Sequence, residues 1–437
     1  MEQRPVFPEY LERVLTRLQA TGVRVYVVGG ALRDTLLGRE PRDFDLVVDH
    51  ELEAVRRALP EAVTISTHTP LLLIPESVAG LRIEISVRRA GARSLEEDLY
   101  RRDFSLNAIA FDPQSGSYLD PLDGRGDLSS RRLRAVDTER AFRDDAIRIL
   151  RGVRLSLELE LEIDPETARS MERESWRLHS MPGERRRDEL MRLLALPRPS
   201  RGIEQLRAIW ALDSVLPELL REVGVAQNRH HPDDVYRHTL RVCDGLRDDP
   251  LLRLAALLHD ASKPETKHLQ PKRDDFTFPR HDLLGVAHAR GAAKRLRLSK
   301  QERGRLERLV RQHLLYPNRL DTDRAIRRML RRAGRDILSD LLELRRADYA
   351  SRDPQGRVPA DWEAAEQRIR ALERETRLTS PPRLAIGGKE IMQELEIGEG
   401  PQVGRWLTRT RRHVLERPEE NERERLLSWL RESAASE

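Results

Sequence analysis

Cysteine is almost missing from this sequence: Cys243 is the only one in 437 residues. No intrachain disulfide can form, which favours a reducing compartment. Long apolar runs are missing too. None approaches the roughly 18 residues needed to span a bilayer, and Met1-Glu2-Gln3-Arg4-Pro5 opens no apolar signal region. These absences predict a soluble, cytoplasmic protein with no membrane partner. There is no internal repeat, no low-complexity tract and no G-x-G-x-x-G dinucleotide fingerprint. A strong charge imbalance is also lacking. Lys and Arg number 79 against 74 Asp and Glu, a net +5 that permits a nucleic-acid partner without requiring one.

What is present is charge in quantity, and nearly all the basic residues are Arg, whose planar fork matches phosphate oxygens. At roughly 100–200 residues per domain the length predicts two to four domains. Leu11, Val14, Leu15 and Leu18 recur at helical spacing, so a helix is expected over Glu9–Ala20, stopped by Gly22. Strands are expected at 23–28, 44–48, 71–74, 81–87 and 108–111. From about Glu139 strand signals fade. Long helical patterns cover 141–157, 189–196 and 203–212, and the histidine-rich segment 235–350 also reads as helical. The fold class predicted is α+β: a small mixed head over 1–137, then an all-α remainder divided at 138–220, 221–350 and 351–437.

The head carries the first chemistry. Gly29-Gly30 ends a predicted strand and Arg33-Asp34 follows. Glycine lets backbone N–H groups approach a phosphate, the helix start adds a favourable dipole, and Arg33 can hold a triphosphate oxygen. By itself, Gly-Gly is equally a tight turn. In Asp43-Phe44-Asp45 two carboxylates share one strand face, where they repel each other unless a cation lies between them. Oxygen ligands suit Mg²⁺. A pair of such ions activates an attacking hydroxyl and stabilises a leaving pyrophosphate. Glu84, in Ile83-Glu84-Ile85, is either a third carboxylate or an exposed strand residue.

Together, Gly29-Gly30-Ala31-Leu32-Arg33-Asp34-Thr35-Leu36-Leu37-Gly38 and Asp43-Phe44-Asp45 resemble the signature of class II tRNA nucleotidyltransferases and bacterial poly(A) polymerases, in the DNA polymerase β superfamily. Arg101-Arg102-Asp103-Phe104-Ser105-Leu106-Asn107-Ala108 resembles the family's second motif. The resemblance implies that Arg102, Asp103 and Asn107 hold ribose and phosphates. The segment Asp144–Arg154 sits where the family has its protein template. Its first position, usually Glu, is Asp144 here. Asp145, Arg148 and Arg151 are spaced by three and are expected on one helix face. An Asp accepts from an exocyclic amine and an Arg donates to ring acceptors, so Asp145 and Arg148 can read a base edge. Arg151 and Arg154 continue toward the triphosphate. Glu184–Leu190 resembles the family's neck motif, and Ile386–Met392 with Gly400–Gly404 resemble its tRNA-gripping tail.

A second constellation lies in the helical half. His238, His259-Asp260 and Asp348 follow the order H…HD…D, which resembles the HD phosphohydrolase superfamily. The resemblance implies that these four side chains bind a divalent metal, and imidazole with carboxylate suits a transition metal. His281, His288 and His313 are weaker candidates that either complete the site or face solvent.

The expected activity is template-independent addition of C to the 3′ end of tRNA from CTP, with Mg²⁺ at Asp43 and Asp45 and a second, metal-dependent hydrolase activity in the HD domain. Only Arg88–Arg93 joins the 81–87 strand to the next segment. The resemblance associates so short a connection with CC addition, which implies a separate A-adding enzyme on the same tRNA. The alternatives are full CCA addition, which also takes ATP, and poly(A) polymerase. Two further classes are an HD hydrolase with a dead head and an RNA-binding protein that uses Arg324, Arg327, Arg328, Arg331, Arg332 and Arg335.

Overall fold

The computed structural model describes residues 4–49, 52–66, 71–75, 80–88, 92–229, 231–272, 274–378 and 384–435. The chain divides into two units, Met1–Pro217 and Glu218–Glu437.

In the first unit, helix α1 (Glu9–Ala20) has its expected bounds and buries Leu11, Val14, Leu15 and Leu18. Each such side chain contributes roughly 1.5–3 kcal/mol. The strands are β1 (Val25–Val28), β2 (Asp43–Val48), β3 (Val63–Ser66), β4 (Leu71–Ile74), β5 (Arg82–Val87), β6 (Ala110–Asp112) and β7 (Ser117–Leu119). They form one sheet in the order β3-β4-β5-β2-β1-β6-β7. Only the β2–β5 pair is parallel, with Asp45 opposite Glu84. On its other side Asp45 pairs with Val28, the last residue before Gly29. Helix α2 (Gly30–Leu36) starts at that edge, and α3 (Leu52–Ala58), α4 (Leu95–Leu99) and α5 (Gly124–Ser129) follow in the chain.

Two of these strands escaped the periodicity reading, and both are edges. Val63 and Ile65 of β3 are exposed, and β7 is at most half-buried, so neither has a buried face to impose alternation. The strand expected at 108–111 starts later because a 3₁₀ turn takes Ser105–Asn107.

The helix expected over 141–157 is broken. Helix α6 (Ala141–Asp144) ends at Asp145, which is extended at φ −153°, ψ 99°, and α7 (Ile147–Glu158) follows. The Asp145 carboxylate accepts from Ile147 N at 3.3 Å, a local bond that competes with the helix ladder. Behind these run α8 (Pro165–Glu174), α9 (Gly183–Leu194) and α10 (Ser200–Ala208). The last stops short of Leu212 because Trp210 turns left-handed at φ 57°.

Among the described residues the second unit is helical apart from one hairpin, His268–Gln270 with Asp275–Thr277, that the helical reading did not anticipate. A short parallel pair, Arg132–Leu133 with Glu162–Ile163, likewise interrupts the expected all-α stretch of the first unit. Helix Pro250–Leu258 is capped by Asp249, which accepts from the N–H groups of Leu251 and Leu252. Everything from Leu251 to Leu258 is buried, and the helix delivers His259-Asp260 to the interior. Residues 384–435 have their own apolar cluster around Ile386, Ile391, Val414, Leu426 and Leu430. Among the described residues no helix is long and apolar enough to cross a membrane.

Candidate active sites

Strand β2 explains the first site. Phe44 and Leu46 point into the core while Asp43 and Asp45 are exposed on the opposite face. That face forms the floor of a cavity of about 600 Å³. Gly29, Gly30, Arg33, Arg102, Asp103, Asn107, Asp145, Arg148, Arg151 and Arg154 all line it with the two aspartates. Every residue expected at this site from sequence is therefore brought to one cavity. Glu84, although in register beside Asp45, is paired with Arg82 at 2.6 Å and does not line it.

Gly29 is required by geometry. Its φ is +77°, and a Cβ there would come within 2.8 Å of Asp45 Oδ2 and 3.1 Å of Arg102 Nη1. A single hydrogen-bonded chain ties the walls together. Arg33 Nη1 donates to Asn107 Oδ1 at 2.8 Å, and Asn107 Nδ2 donates to Asp103 Oδ1 at 2.9 Å. Arg151 then donates to Asp103 Oδ2 at 2.9 Å and to Glu189 at 3.1 Å, and Arg154 reaches the other Glu189 oxygen at 2.7 Å. Glu189, in the neck motif of α9, is thus a buried anchor for two cavity arginines. Sequence spacing alone does not reveal that role, because the partners lie on another helix.

One expectation is corrected. Asp145 does not share a helix face with Arg148 and Arg151, since it sits in the break before α7. Its carboxylate takes a bidentate pair from Arg185, at 2.7 and 3.1 Å. Arg148 donates to the carbonyls of Arg101, Arg102 and Ala141. Both side chains still line the cavity, but from consecutive elements and not from one face.

The second site is a buried cage in the helical unit. His238, His259 and Asp348 converge, and so do Asp260, His281 and His313, with the donor atoms in each group within 4.8 Å of one another. Asp260 joins the groups: its Oδ2 lies 3.1 Å from His259 Nε2 and 3.6 Å from His238 Nε2, and its Oδ1 lies 3.3 Å from His281 Nε2. The four residues expected from sequence are assembled, and His281 and His313 join them. His288 does not; it faces Glu265 at 3.1 Å.

The imidazoles are oriented as metal ligands require. The Nδ1 atoms of His259, His281 and His313 face the carbonyls of Ala256, Phe278 and Val310 at 2.6–2.7 Å. That fixes Nδ1 as the protonated nitrogen and turns each Nε2 lone pair inward. His238 Nδ1 is held by Ser351 at 3.0 Å. Burial pushes His238 down to about 4 and His313 well below the usual imidazole range, so both are neutral donors at pH 7. His238 Nε2 and His259 Nε2 are buried without a hydrogen-bond partner among the described residues, while Asp260 Oδ2 is ion-paired with Lys263 Nζ at 2.5 Å. Orphaned donor atoms of this kind fit a metal.

Residues 25–134 match the Poly A polymerase head domain, residues 160–222 the probable RNA and SrmB-binding site of polymerase A, and residues 229–353 the HD domain. The A-adding tRNA nucleotidyltransferase of Deinococcus radiodurans is 34% identical over 400 residues, covering 87% of this chain and 89% of the relative. The CC-adding tRNA nucleotidyltransferase of Thermus thermophilus is 33% identical over 400 residues, covering 87% of each. The chain belongs to the tRNA nucleotidyltransferases. A crystal structure of the Bacillus stearothermophilus CCA-adding enzyme in complex with CTP matches with a TM-score of 0.70 at 25% identity, covering 99% of both chains. The polymerase-like head followed by helical domains is therefore that of tRNA nucleotidyltransferases.

Within this tRNA nucleotidyltransferase the head site has a pH signature. Burial pushes the Asp103 carboxyl up, but the Arg151 charge and bonds from Asn107, Arg151 and Phe104 N more than offset this and hold it at about 2. A folded pKa below the unfolded value stabilises the protein above about pH 4, and the contribution is lost as pH falls toward 2. Asp103→Asn is expected to cost about 2 kcal/mol at pH 7. Calorimetry should show the melting gap between parent and variant narrowing by about half at pH 3. A gap of equal size at both pH values would contradict the depressed Asp103.

Proposed function

We propose that this tRNA nucleotidyltransferase adds only C residues, from CTP, and leaves the terminal A to a separate A-adding enzyme. The observation that carries this is the connection between Val87 and the short helix Leu95–Leu99. Residues 89–91 of it lie outside the described residues, but both flanks are fastened. Arg88 Nη1 lies 2.6 Å from Asp49 Oδ1, and Ser94 Oγ accepts from Glu97 N at 3.1 Å. Arg93 N donates to Glu97 Oε2 at 2.8 Å. A short connection anchored at each end has little reach. It is a poor lever for shifting Asp145 and Arg148 between cytosine-reading and adenine-reading arrangements. The likeness to the CC-adding Thermus relative agrees with this, and the likeness to the A-adding Deinococcus relative makes A addition the rival. Transfer RNA lacking its CCA end, given CTP and ATP together, is expected to yield products ending in CC. A substantial fraction ending in CCA sinks the proposal. So does A addition confined to tRNA that already ends in CC.

In this reading Asp43 and Asp45 hold Mg²⁺, as two same-face carboxylates exposed to an arginine-lined cavity are suited to do. The ions supply charge neutralisation for the tRNA 3′-hydroxyl attacking the α-phosphate and for the leaving pyrophosphate. The N–H groups at Gly29-Gly30 and the side chain of Arg33 cradle the triphosphate, with Arg151 and Arg154 beside it. Arg102, Asp103 and Asn107 position the ribose. Asp145 offers an acceptor and Arg148 offers donors to the base, and the base edge competes with Arg185 for Asp145. The head spans 1–137, the neck 138–220, the HD domain 221–350 and the tRNA-binding tail 351–437. The division at Pro217 and Glu218 and the separate tail cluster support that organisation. We read the enzyme as cytoplasmic, a reading that action on tRNA supports.

The HD cage supports a second activity, metal-dependent phosphoester hydrolysis. Four neutral-capable imidazoles with Asp260 and Asp348 suit divalent transition metals, and the orphaned Nε2 atoms favour this over a structural role.

A further inference from the structure

The transferase cavity sets six carboxylates against seven arginines. Five of the arginines are already engaged. Arg33 is paired with Asp34 at 2.7 Å and Arg102 with Asp98 at 3.4 Å. Arg148 is held by three carbonyls, and Arg151 and Arg154 share Glu189. Arg42 and Arg192 make no ion pair or side-chain hydrogen bond with any described residue. Arg42 directly precedes Asp43 on β2. Arg192 reaches the cavity from another element, helix α9.

Helices α7 and α9 face each other like the rails of a ladder. Arg185, Glu189 and Arg192 are spaced by four and then three residues, so they share one face of α9. Arg185 meets Asp145, just before α7, at 2.7 Å. One turn on, Glu189 meets Arg151 at 3.1 Å and Arg154 at 2.7 Å. The next turn brings Arg192 to the level of Leu155 and Glu158, with which it lines the cavity. At that level the rung is missing. Glu158, the carboxylate in place to supply it, is taken by Arg154. Arg192 is exposed and keeps an unpaired charge. The cavity therefore runs from Asp145 and Arg148, past two arginines fixed to Glu189, to a free cation. From Arg148 to Glu158 the distance along α7 is about 15 Å.

Resting on the triphosphate reading of this cavity, we infer that Arg192 binds the β- and γ-phosphates of the incoming nucleotide and accompanies pyrophosphate as it leaves. A nucleoside triphosphate laid with its base at Asp145 and Arg148 puts its last phosphates at the far end of the ladder. In the reaction, the ribose 3′-oxygen of the RNA bonds to the α-phosphorus and the bond from that phosphorus to the α–β bridging oxygen breaks. The electron pair of that bond leaves with pyrophosphate, and the hydroxyl proton passes to water. Pyrophosphate gains negative charge and has to move away. Arg151 and Arg154 cannot follow it without breaking their pairs with the buried Glu189. Arg192 breaks no pair in following it, and its planar fork matches two phosphate oxygens.

The test uses the full chain with Mg²⁺, CTP and tRNA lacking its CCA end. In Arg192→Ala the KM for CTP and the inhibition constant of added pyrophosphate are both expected to rise about tenfold, the scale of one hydrogen bond between charged groups. Inhibition by CMP, which lacks the β- and γ-phosphates, should stay at the parental value. So should the KM for tRNA and the melting temperature. Arg192→Lys keeps a point charge and should recover most of the lost pyrophosphate affinity. A purely structural arginine would move CMP and pyrophosphate inhibition together, so equal shifts overturn the inference. Unchanged pyrophosphate inhibition in Arg192→Ala also overturns it, and a raised KM for tRNA in its place shows that the arginine serves the RNA backbone. Arg154→Ala tests the underlying reading. If both alanine variants leave CTP and pyrophosphate binding at parental values, the triphosphate does not lie along α7 and that reading falls. If Arg154→Ala weakens both and Arg192→Ala weakens neither, only the role of Arg192 falls.

Discussion

Asp43→Asn or Asp45→Asn is expected to lower C addition to tRNA by about a thousandfold or more while leaving the melting temperature at or above that of the parent. The rate loss follows from what the aspartates do. Each removes one anionic ligand from a site where metal stabilisation of the transition state is worth several kcal/mol, and each 1.36 kcal/mol is tenfold in rate. The stability expectation follows from where they are. Both side chains are exposed on β2 and face the same way, so in the absence of a cation they repel one another. Neutralising one relieves that repulsion without opening a cavity, because Phe44 and Leu46 keep the core intact. Single-turnover incorporation of labelled CTP, with a thermal melt of the same preparations, reads both quantities. Near-parental incorporation by either variant would falsify the metal assignment. A large fall in melting temperature would show that the carboxylate is structural.

The legible parts of this protein were those governed by local periodicity. The stripe of Leu11, Val14, Leu15 and Leu18 fixes α1 because helix burial repeats within the segment itself. The Asp-x-Asp pair was equally readable, since alternation on a strand is local and two charged residues interrupt an otherwise apolar run. Illegible parts were those decided by partners far along the chain. Asp145 leaves the helix because its own backbone bond and Arg185 on α9 both engage it, and no window around 145 contains Arg185. Glu189 reads as part of a charged helix face until α7 is seen to place Arg151 and Arg154 against it. The same limit applies to the cage. The pair His259-Asp260 stands out as a dipeptide, but His281, His288 and His313 are indistinguishable as lone histidines. Only the packing of their helices sends the first and last inward and leaves His288 against Glu265.

That distinction among histidines sets the other large expected effect. His259→Asn, His281→Asn and His313→Asn should each lower metal-dependent phosphoester hydrolysis by about a hundredfold or more, on the scale of several kcal/mol for metal-assisted catalysis. His288→Asn should stay within a few-fold of the parent. Each of the first three presents Nε2 to the cage with Nδ1 held by a backbone carbonyl, so replacing it deletes a donor that nothing nearby can supply. His288 has no such orientation, and its partner Glu265 lies outside both ligand groups. Metal content supplies a readout independent of turnover. Equilibrium dialysis against Mn²⁺ should show weaker retention in the three cage variants and parental retention in His288→Asn. C addition by His259→Asn is expected to remain near normal, because no cage residue lines the head cavity. If His281→Asn and His313→Asn hydrolyse and retain metal like the parent while His259→Asn does not, the site is the four-residue one anticipated from H…HD…D. His281 and His313 then have no part in metal binding.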